Sequence, residues 1–456
     1  MQIKYETDSR KIKKGQVFVA IVGHTVDGHD YIKEAIKNGA SKLIVSKEGQ
    51  YEIPYEVVDN TEEYLNNALV NEYSKEFNDL DFIGITGTNG KTTTCYLIYQ
   101  MLNKLGAKVA YMGTIGFYYN DKKVTLNNTT PDILTLYNLI LEAKEAGIKT
   151  IVMEVSSHSL SFKRIAGIKY KIGGFTNLTE DHLDFHKDME DYLRAKLKLI
   201  DYLDNNAKML VNIDDESSSR FMEKYDCLTY GEKTSNYEII NYDITPSKTK
   251  IDFKHLDDEY QIVTNLTSKF NVYNYLLALA VVHEYGYEIN NILDITKSIY
   301  PPKGRCETYE VNESYAVIDY AHTPDAVQKV IEAYNELKKN KIITIVGCGG
   351  DRDNKKRPIM GNIATELSDY VIFTNDNPRT EDPHKIMNDI IAGVKRDNYE
   401  IIFDRKEAID KAIKMLDKED ILLILGKGHE DYQIIGHEKV HLDDSEEVKK
   451  HIKNNN

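Results

Sequence analysis

The chain has 456 residues, of which 41% are hydrophobic and 29% charged, a composition typical of a soluble globular protein with roughly three domains. Its net charge of −15 argues against a nucleic-acid partner. Four cysteines without C-x-x-C spacing predict reduced thiols, with neither a disulfide framework nor a zinc site. The first residues lack a signal-peptide pattern and the longest apolar runs are strand-length, so we expect a cytoplasmic protein without membrane insertion.

Residues 1–78 are predicted to form a small α/β domain. Val17–Val22 and Leu43–Val45 have the pattern of buried strands, and a helix over 61–77 leads to the next segment. Polar clusters at Asp8-Ser9-Arg10 and Asp27-Gly28-His29 lie on its predicted loops. Taken alone, each cluster is as typical of a turn or a helix cap as of a binding site.

A strand, a glycine-rich turn and a helix follow each other between residues 81 and 102. The turn reads Gly84-Ile85-Thr86-Gly87-Thr88-Asn89-Gly90-Lys91-Thr92-Thr93. Its glycines let successive backbone amides point inward and, with the positive end of the helix, form a phosphate pocket. Lys91 would reach the β- and γ-phosphates, and the Thr92 hydroxyl would bind Mg²⁺. Ile85 departs from the strict P-loop pattern, yet the strand–turn–helix context predicts an ATP site.

Residues 79–301 are predicted to form a doubly wound, mostly parallel sheet, whose ligand sites lie at the carboxyl ends of the strands. Glu154 directly follows one buried strand and is the natural Mg²⁺ partner of Thr92. His182 and Lys196 carry less information, because single histidines and helical lysines are more often structural or solvated. Between 230 and 265, alternating apolar residues indicate an antiparallel extension of the sheet.

Residues 302–456 are predicted to form a third, Rossmann-like α/β domain. Four of its strands end in glycines and charged residues, which packing alone does not explain. These strand ends are Asp319–His322, Gly347–Arg352, Thr374–Arg379 and Gly426–Glu430.

Six separated motifs, in this order, resemble the Mur ligases of peptidoglycan synthesis. They are Thr86-Gly87-Thr88-Asn89-Gly90-Lys91-Thr92-Thr93, Glu154-Val155-Ser156-Ser157-His158, Asn177-Leu178-Thr179-Glu180-Asp181-His182-Leu183-Asp184, Phe270-Asn271-Val272-Tyr273-Asn274, Asp319-Tyr320-Ala321-His322-Thr323-Pro324-Asp325 and Gly426-Lys427-Gly428-His429-Glu430. The resemblance covers essentially the whole chain. It implies a UDP-sugar-binding domain over 1–78, a central P-loop-type ATP-binding domain over 79–301 and an amino-acid-binding domain over 302–456.

The activity that the resemblance implies is an ATP- and Mg²⁺-dependent amide ligation. The D-glutamate side-chain carboxylate of UDP-N-acetylmuramoyl-L-alanyl-D-glutamate attacks the γ-phosphate of ATP and forms an acyl phosphate. The amine of an incoming amino acid then displaces phosphate and forms an amide. The implied partners are therefore small molecules, and we expect a monomer.

The resemblance also assigns roles to individual residues. Those implied in catalysis are Lys91, Glu154, His182 and Lys196. Those implied at ATP are Gly87, Thr88, Asn89, Gly90, Lys91, Thr92, Thr93, Asn274, Arg305 and Asp319. Those implied at the UDP-substrate are Ser9, Asn128, Thr129, Thr130, Ser156 and Arg164. Those implied at the amino acid are Arg352, Asp376, Asn377, Pro378, Arg379, Gly426 and Glu430. Those implied at Mg²⁺ are Thr92, Glu154, His182 and Lys196, the last as a carbamate, because a bare ammonium would be repelled by the metal.

Asp376-Asn377-Pro378-Arg379 bears on which amino acid is added. In similar ligases that add meso-2,6-diaminopimelate, the fourth residue of this loop is arginine. Diaminopimelate is a lysine with an extra carboxylate, which a guanidinium binds bidentately. Lysine would leave that guanidinium without its partner. We expect diaminopimelate as the acceptor, with Glu430 at its far ammonium; in the alternative, Arg379 only pairs with Glu381 or Asp382.

Two positions depart from the pattern of the similar ligases. Ser268 replaces the usual glycine before Phe270, which predicts a local change in the turn, and Phe162 stands where a polar substrate contact is expected near Arg164. Three other readings remain open: the same ligase with L-lysine as acceptor, a folylpolyglutamate synthetase-like ligase, and an ATP-dependent switch that ligates nothing. A shared fold alone does not separate them.

Overall fold

The computed structural model describes residues 2–23, 26–183 and 185–452. They form two compact units, the first from the described residues of 1–91, 102–211 and 216–228, and the second from those of 92–101, 212–215 and 229–456. Both units combine helices with mostly parallel sheets, which confirms the predicted α/β fold class. Within the described ranges, none of the helices combines the length and the apolar character needed to cross a bilayer.

The N-terminal segment of the first unit carries a four-stranded parallel sheet in the order β1-β2-β3-β4. Its elements are β1 (Tyr5–Glu6), β2 (Val17–Val19), α1 (Ile32–Lys37), β3 (Lys42–Val45), β4 (Tyr55–Val57) and α2 (Thr61–Tyr73), with 3₁₀ turns at Ser9–Lys11, Gly28–Tyr31 and Ser74–Phe77. The predicted strand over 17–22 is shorter than expected because Val22 is exposed and bridges to Asp27 in a turn. The strand β4 was not predicted. Leu65, Leu69 and Phe77 join the core of the larger sheet of this unit.

The middle of the chain supplies the larger sheet of the first unit. The elements of this part of the chain are β5 (Asp81–Thr86), α3 (Lys91–Lys104), β6 (Val109–Gly113), β7 (Gly116–Tyr119), β8 (Lys122–Val124), α4 (Ile133–Glu145), β9 (Thr150–Glu154), α5 (Ser157–Ser161), β10 (Tyr170–Phe175), α6 (Met189–Leu197), β11 (Leu203–Asn212), α7 (Ser218–Met222) and β12 (Cys227–Gly231), with a 3₁₀ turn at Lys198–Tyr202. Of these, residues 92–101 of α3, Asn212 of β11 and residues 229–231 of β12 belong to the second unit. Helix α4 is capped by Asp132, whose carboxylate accepts the Thr135 amide.

The strand order in the first unit positions the predicted phosphate loop. Strand β5 lies between β10 and β9, and all three are parallel. The register pairs Ile85 with Glu154 and Thr86 with Phe175. The loop after β5, the carboxylate that ends β9 and the polar segment after β10 therefore share one edge of the sheet, at a point where the strand order reverses.

The second unit begins with the predicted antiparallel extension, which the structure confirms. Its strands are β13 (Tyr237–Ile244), β14 (Thr249–His255) and β15 (Asp258–Thr264), paired in antiparallel order. Two helices follow, α8 (Lys269–Tyr285) and α9 (Ile289–Ile295), with a 3₁₀ turn at Thr296–Ser298. Helix α8 is buried along most of its length, which explains why its sequence is apolar on several faces.

The rest of the second unit is a six-stranded sheet between helices. Its elements are β16 (Glu307–Val311), β17 (Ser314–Asp319), α10 (Pro324–Asn335), β18 (Ile342–Val346), α11 (Lys356–Leu367), β19 (Tyr370–Phe373), α12 (Pro383–Ile391), β20 (Tyr399–Ile401), α13 (Arg405–Lys414), β21 (Ile421–Leu425), β22 (Tyr432–Ile435), β23 (Glu438–His441) and α14 (Asp444–Lys449). The order is β16-β17-β21-β18-β19-β20, parallel except for β16, while β22 and β23 form a separate hairpin. The four strand ends singled out in the sequence therefore share one edge of this sheet.

Candidate active site

The loop after β5 has a backbone that only glycine accepts at its tightest points. Gly87 has a φ of +146° and Gly90 a φ of +84°, values that residues other than glycine rarely adopt. A Cβ on Gly87 would lie 1.9 Å from the Thr176 hydroxyl oxygen. Glycine at this position therefore allows both the turn and the close approach of the neighbouring strand.

The segment after β10 holds the phosphate loop in place. The Thr88 amide donates to the Asn177 carbonyl at 2.8 Å, and the Asn89 amide donates to the Asn177 side-chain oxygen at 3.0 Å. The Thr176 hydroxyl donates to the Asn89 carbonyl at 2.6 Å, and the Thr179 amide donates to the Thr88 hydroxyl at 3.0 Å. The sequence motif around 177–184 identified this segment but not its role as the support of the loop; Asp184 lies outside the described residues.

Lys91 and Lys196 meet at the same backbone oxygen. The Lys91 ammonium donates to the carbonyls of Gly87 and Thr88 at 2.8 and 2.7 Å, and the Lys196 ammonium donates to the Gly87 carbonyl at 2.7 Å. Two predicted catalytic lysines, 105 positions apart in the chain, thus lie at one turn of the loop. An anion placed here would meet the Lys91 ammonium and, when it is protonated, the Lys196 ammonium.

Lys196 is a buried amine rather than a solvated helical lysine. Its side chain is 1% exposed, and its ammonium lies 4.1 Å from the centre of the Tyr192 ring. Burial, reinforced by the positive charge of Lys91 and opposed by Asp181, lowers the pKa of Lys196 well below its ordinary value. A larger fraction of this group is therefore a neutral, nucleophilic amine than at the protein surface.

Glu154 is buried with both carboxylate oxygens oriented. One oxygen accepts the Tyr111 hydroxyl at 2.6 Å and the Thr114 amide at 2.8 Å, and the other accepts the Thr114 hydroxyl at 3.1 Å. A Cβ on Gly113 would lie 2.1 Å from the first oxygen, so this position leaves room only for glycine. Tyr111, Gly113 and Thr114 were not identified from the sequence, since their role depends on the pairing of β6 with β9.

The residues implied at the UDP-substrate extend from Glu154 as a connected network. Thr114 contacts the Thr129 hydroxyl at 3.0 Å, and the Thr130 hydroxyl donates to the Glu154 carbonyl at 2.9 Å. Thr130 also contacts the Ser156 hydroxyl at 3.4 Å, and the Arg164 guanidinium donates to the Thr130 carbonyl at 3.1 Å. Four of the six residues implied for this substrate are therefore brought together beside the buried carboxylate.

The other two residues implied at the UDP-substrate have separate surroundings. Ser9 is buried in the N-terminal segment, where its hydroxyl donates to Glu34 and its carbonyl accepts the Asn38 side-chain amide at 2.8 Å. Asn128 is exposed on the loop ahead of Thr129.

His182 lies in a cluster of rings at the surface of the first unit. It has a φ of +55°, its side chain is 44% exposed, and its ring is edge-on to His158 with 5.0 Å between ring centres. Phe185 stacks on His158 at 4.2 Å, and Phe162 lies 5.3 Å from Phe185. The Arg164 guanidinium lies over the Phe162 ring at 5.4 Å, so the aromatic residue at position 162 supports Arg164 by cation–π contact.

The described residues hold no cluster of three or more histidine, cysteine, aspartate or glutamate side chains arranged for a metal ion. This is compatible with Mg²⁺, which prefers oxygen ligands and is commonly bound by one or two carboxylates together with substrate phosphates. The buried, oriented oxygens of Glu154 fit that role.

The second unit carries the other residues implied at the nucleotide. Thr92 and Thr93 are buried. Asn274 is also buried, and its amide donates to the Asn271 side-chain oxygen at 3.0 Å, while its own oxygen accepts the Thr94 hydroxyl at 3.5 Å. Asn274 is therefore held in one orientation at the start of α8.

Arg305 and Asp319 form a charged group at the end of β17. Asp319 accepts the amides of Cys306 and Ala321, each at 2.8 Å. Burial raises the pKa of Asp319, and the charge of Arg305 opposes that rise. The Arg305 guanidinium lies over the Tyr320 ring at 4.8 Å.

Arg379 stands on a strained turn that the hairpin β22–β23 secures. Its φ is +52°, its amide donates to the Ile434 carbonyl at 3.0 Å, and its carbonyl accepts the Gly436 amide at 2.7 Å. Its guanidinium donates to the Gly350 carbonyl at 2.8 Å. The hairpin was not predicted from the sequence, although it fixes the residue on which the acceptor prediction depends.

Asn377 and Glu430 are joined through a buried lysine. The Asn377 amide donates to Glu430 at 2.8 Å, and the fully buried Lys427 ammonium donates to Asn377 at 3.3 Å and to Glu430 at 3.2 Å. This arrangement holds the Glu430 carboxylate in place beside the Arg379 loop. Lys427 was part of a quoted motif but had no assigned role.

The remaining residues implied at the amino acid differ in exposure. Asp376 and Pro378 are buried within the loop, whereas Arg352 is exposed. Gly426 has a φ of +112°, and a Cβ there would lie 2.8 Å from an Asp376 carboxylate oxygen. Gly426 is therefore required for the close approach of β21 to Asp376.

A glycine-rich loop beside an oriented carboxylate, together with charged residues at the strand ends of a second α/β sheet, is typical of enzymes that bind nucleotides at the carboxyl edge of a sheet. Three family models match the chain: the Mur ligase family catalytic domain at residues 5–78, the Mur ligase middle domain at 85–282 and the Mur ligase glutamate ligase domain at 304–428. The chain belongs to the Mur ligase family. The resemblance inferred from the six motifs is thereby confirmed.

Individual relatives agree with this assignment. The chain is 41% identical over 455 residues to UDP-N-acetylmuramoyl-L-alanyl-D-glutamate--2,6-diaminopimelate ligase 1 of Clostridium acetobutylicum, covering 98% of this chain and 94% of that protein. A solved structure of a UDP-N-acetylmuramoyl-L-alanyl-D-glutamate--2,6-diaminopimelate ligase matches with a TM-score of 0.71 and 30% identity, over 98% of this chain and 94% of that one. The MurF ligase of Thermotoga maritima in complex with ADP shares the fold, with a TM-score of 0.67 and 19% identity over 93% of this chain and 94% of that one.

Proposed function

We propose that this protein is an ATP-dependent ligase that adds meso-2,6-diaminopimelate to UDP-N-acetylmuramoyl-L-alanyl-D-glutamate. The choice of acceptor depends on the Asp376–Arg379 loop. The Arg379 guanidinium donates to the Gly350 carbonyl, and the Asn377 side-chain amide of the same loop holds Glu430. The two groups offer opposite charges for the carboxylate and the ammonium at the far end of the acceptor. Relatives at about 40% identity over nearly the whole chain carry the name of this activity, which supports the proposal over a folylpolyglutamate synthetase.

In the proposed reaction, an oxygen of the D-glutamate carboxylate attacks the γ-phosphorus of ATP and ADP leaves. The acceptor amine then attacks the acyl carbon, loses a proton and displaces phosphate, forming the amide. Lys91 would neutralise charge on the transferring phosphoryl group, and the loop amides would hold the neighbouring phosphates. A Mur ligase with the same fold was solved in complex with ADP, which supports the use of an adenine nucleotide.

The residues proposed to hold Mg²⁺ are Thr92, Glu154, His182 and Lys196. When bound, the ion supplies positive charge that neutralises the phosphate oxygens. Thr114 and Tyr111 orient the Glu154 carboxylate by hydrogen bonds, so this ligand needs little reorganisation.

We propose that the neutral amine of Lys196 attacks the carbon of carbon dioxide, forming an N–C bond, and loses one proton to solvent to give a carbamate. The reaction requires a neutral amine, which its burial and lowered pKa favour. The product is an anion beside the Lys91 ammonium, so attraction replaces the repulsion between two cations. The same change converts the lysine into an oxygen ligand.

The domain limits 1–78, 79–301 and 302–456 are proposed for binding the UDP-sugar, ATP and the amino acid, in that order. Activity as a monomer in the cytoplasm, where ATP and nucleotide-linked precursors are available, is part of the proposal. The N-terminal segment carries Ser9, and the last segment carries every residue implied at the amino acid.

The test is phosphate release by the purified protein with ATP, Mg²⁺ and UDP-N-acetylmuramoyl-L-alanyl-D-glutamate, with meso-diaminopimelate or L-lysine in parallel. We expect release that depends on diaminopimelate. Preference for lysine would retain the ligase and refute the acceptor assignment. Release indifferent to both amino acids would indicate a nucleotide switch and refute the ligase.

A matched pair of variants connects the acceptor to Arg379. Arg379→Lys keeps a positive charge but loses the bidentate geometry, and Arg379→Ala removes both. We expect the KM for diaminopimelate to rise in both variants, more in Arg379→Ala, with the KM for ATP unchanged. An unchanged KM for diaminopimelate in Arg379→Ala would exclude this residue from acceptor binding.

A further inference from the structure

Arg379 is followed closely by two acidic residues, Glu381 and Asp382, either of which could neutralise it. The structure shows both carboxylates in other contacts. Glu381 accepts two hydrogen bonds from Arg357, at 2.8 Å to one oxygen and 2.6 Å to the other. Asp382 caps α12 by accepting the His384 amide at 2.9 Å. The guanidinium of Arg379 instead donates to the Gly350 carbonyl.

Arg357 is an unusual residue in this position because its side chain is fully buried. Besides Glu381, its guanidinium contacts Asp389 at 2.8 Å and donates to the Gly349 carbonyl at 3.2 Å. The pairing with Arg357 is also the main reason why the pKa of Glu381 is lowered to about 2. Both Glu381 oxygens are thus directed at Arg357, while one also accepts the Asp351 amide at 3.1 Å and the other lies 3.7 Å from the Lys385 ammonium.

The same guanidinium also positions the backbone that receives Arg379. Gly349 is contacted by Arg357, and the next residue, Gly350, accepts from Arg379. Both glycines pack closely against the Asp376–Arg379 loop. A Cβ on Gly349 would lie 2.9 Å from the Arg379 guanidinium, and one on Gly350 would lie 2.0 Å from the Pro378 carbonyl oxygen. A displacement of Arg357 would therefore release Glu381 and would also move the Gly349–Gly350 backbone to which Arg379 donates.

We propose that Arg357 is a positioning residue for acceptor recognition, because it sequesters Glu381 and so leaves Arg379 available to the acceptor's extra carboxylate. The inference rests on the proposed function. Without Arg357, Glu381 would keep only the Asp351 amide and the exposed Lys385 ammonium as partners, two residues from the Arg379 guanidinium, and pairing with that guanidinium would compete with the acceptor. Arg357 itself does not touch substrate in this proposal.

The experiment compares Arg357→Met with the double variant Arg357→Met/Glu381→Gln in the phosphate-release assay. Loss of a guanidinium–carboxylate contact predicts a rise of about tenfold or more in the KM for diaminopimelate of Arg357→Met. The KM for ATP should stay unchanged. The double variant should recover most of the affinity for diaminopimelate, since the competing carboxylate has become a neutral amide.

A merely structural role predicts a different pattern. The KM values for ATP and diaminopimelate would then rise together, or Glu381→Gln would fail to rescue, and either result would overturn the proposal. Asp389→Asn is the matched control, because it removes a partner of Arg357 and leaves Glu381 held. A rise in its KM for diaminopimelate as large as that of Arg357→Met would also overturn it.

A second variant covers the case in which Arg357→Met does not fold. Arg357→Lys keeps the buried positive charge, but its single ammonium cannot occupy both Glu381 oxygens in the fork geometry. We expect an intermediate rise in the KM for diaminopimelate, reversed by adding Glu381→Gln; no rise, or no reversal, would refute the role of Arg357. If the wild-type protein shows no diaminopimelate-dependent release, the proposed function itself fails, which is a separate outcome.

Discussion

Replacing Ser268 by glycine should stabilise the second unit. Ser268 precedes α8 with φ +85° and ψ +146°, a conformation close to the region that only glycine adopts readily, and its side chain is 1% exposed. Its carbonyl accepts the Asn271 amide at 3.1 Å, and Asn271 in turn orients Asn274. The strained turn is therefore part of the support of a residue implied at the nucleotide.

The expected magnitude follows from two opposing terms. A side chain held in such a conformation costs about 1–3 kcal/mol. Glycine also raises the conformational entropy of the unfolded chain, which lowers the stability by about 0.4–1 kcal/mol. The net gain for Ser268→Gly is about 1 kcal/mol, which corresponds to a rise of about 2–4 °C in the unfolding temperature of a unit of this size.

The assay is thermal unfolding of the two variants Ser268→Gly and Ser268→Ala, compared with the wild type. Alanine removes the hydroxyl but keeps the Cβ, so it retains the backbone strain and controls for loss of the oxygen. The midpoints are compared at one scan rate, because a chain of several domains need not unfold in two states. A glycine variant no more stable than the alanine variant would refute the reasoning from strain.

Three further predictions address the sites. Gly113→Ala should displace the Glu154 carboxylate, since its Cβ would lie 2.1 Å from an oxygen, and should lower kcat by about 10²-fold. Gly106→Ala is the control: its Cβ meets nothing within 4 Å, so kcat should be unchanged, while its φ of +88° should make the variant less stable. Lys196→Ala should abolish phosphate release and regain part of it with an added small carboxylic acid; absence of rescue in a folded variant would contradict the carbamate. The Glu381 pKa of about 2 lies below its ordinary 4.5, so its contribution to stability is present above pH 4.5 and lost as pH falls toward 2. That contribution is about 3 kcal/mol, and the difference in urea midpoint between wild type and Glu381→Gln should shrink between pH 6 and pH 3; a constant difference would contradict it.

The sequence was sufficient for the parts of the site that follow a buried strand. Glu154 and Asp319 each come directly after four or more apolar or β-branched residues, and parallel strands bring such ends to one edge. The glycine-rich loop was predictable for the same reason. The spacing of its glycines is typical of a tight turn, and Gly87 and Gly90 indeed have positive φ values. Local pattern and global fold agree at these positions.

The residues that were missed depend on contacts between distant segments. Thr114 orients Glu154 across 40 positions, and Arg357 meets Glu381 across 24, without any periodic pattern that would connect them. The hairpin β22–β23 was missed because its strands are short and largely exposed, so no alternation of buried residues marks them. Ser268 was predicted to change only a local turn, whereas the structure shows a strained backbone at the start of α8.

The cations at the two sites share one arrangement that bears on how substrates bind. Lys91 donates to the carbonyls of Gly87 and Thr88, and Arg379 donates to the Gly350 carbonyl. A backbone carbonyl satisfies such a cation but carries no net charge, so a phosphate or carboxylate of a substrate gains more from the contact than the carbonyl loses. Where a protein carboxylate lies close by, as Glu381 does, a second arginine occupies it. In the proposed function, each site therefore holds an ordered cation before the substrate arrives, and an anionic group of the substrate binds to it.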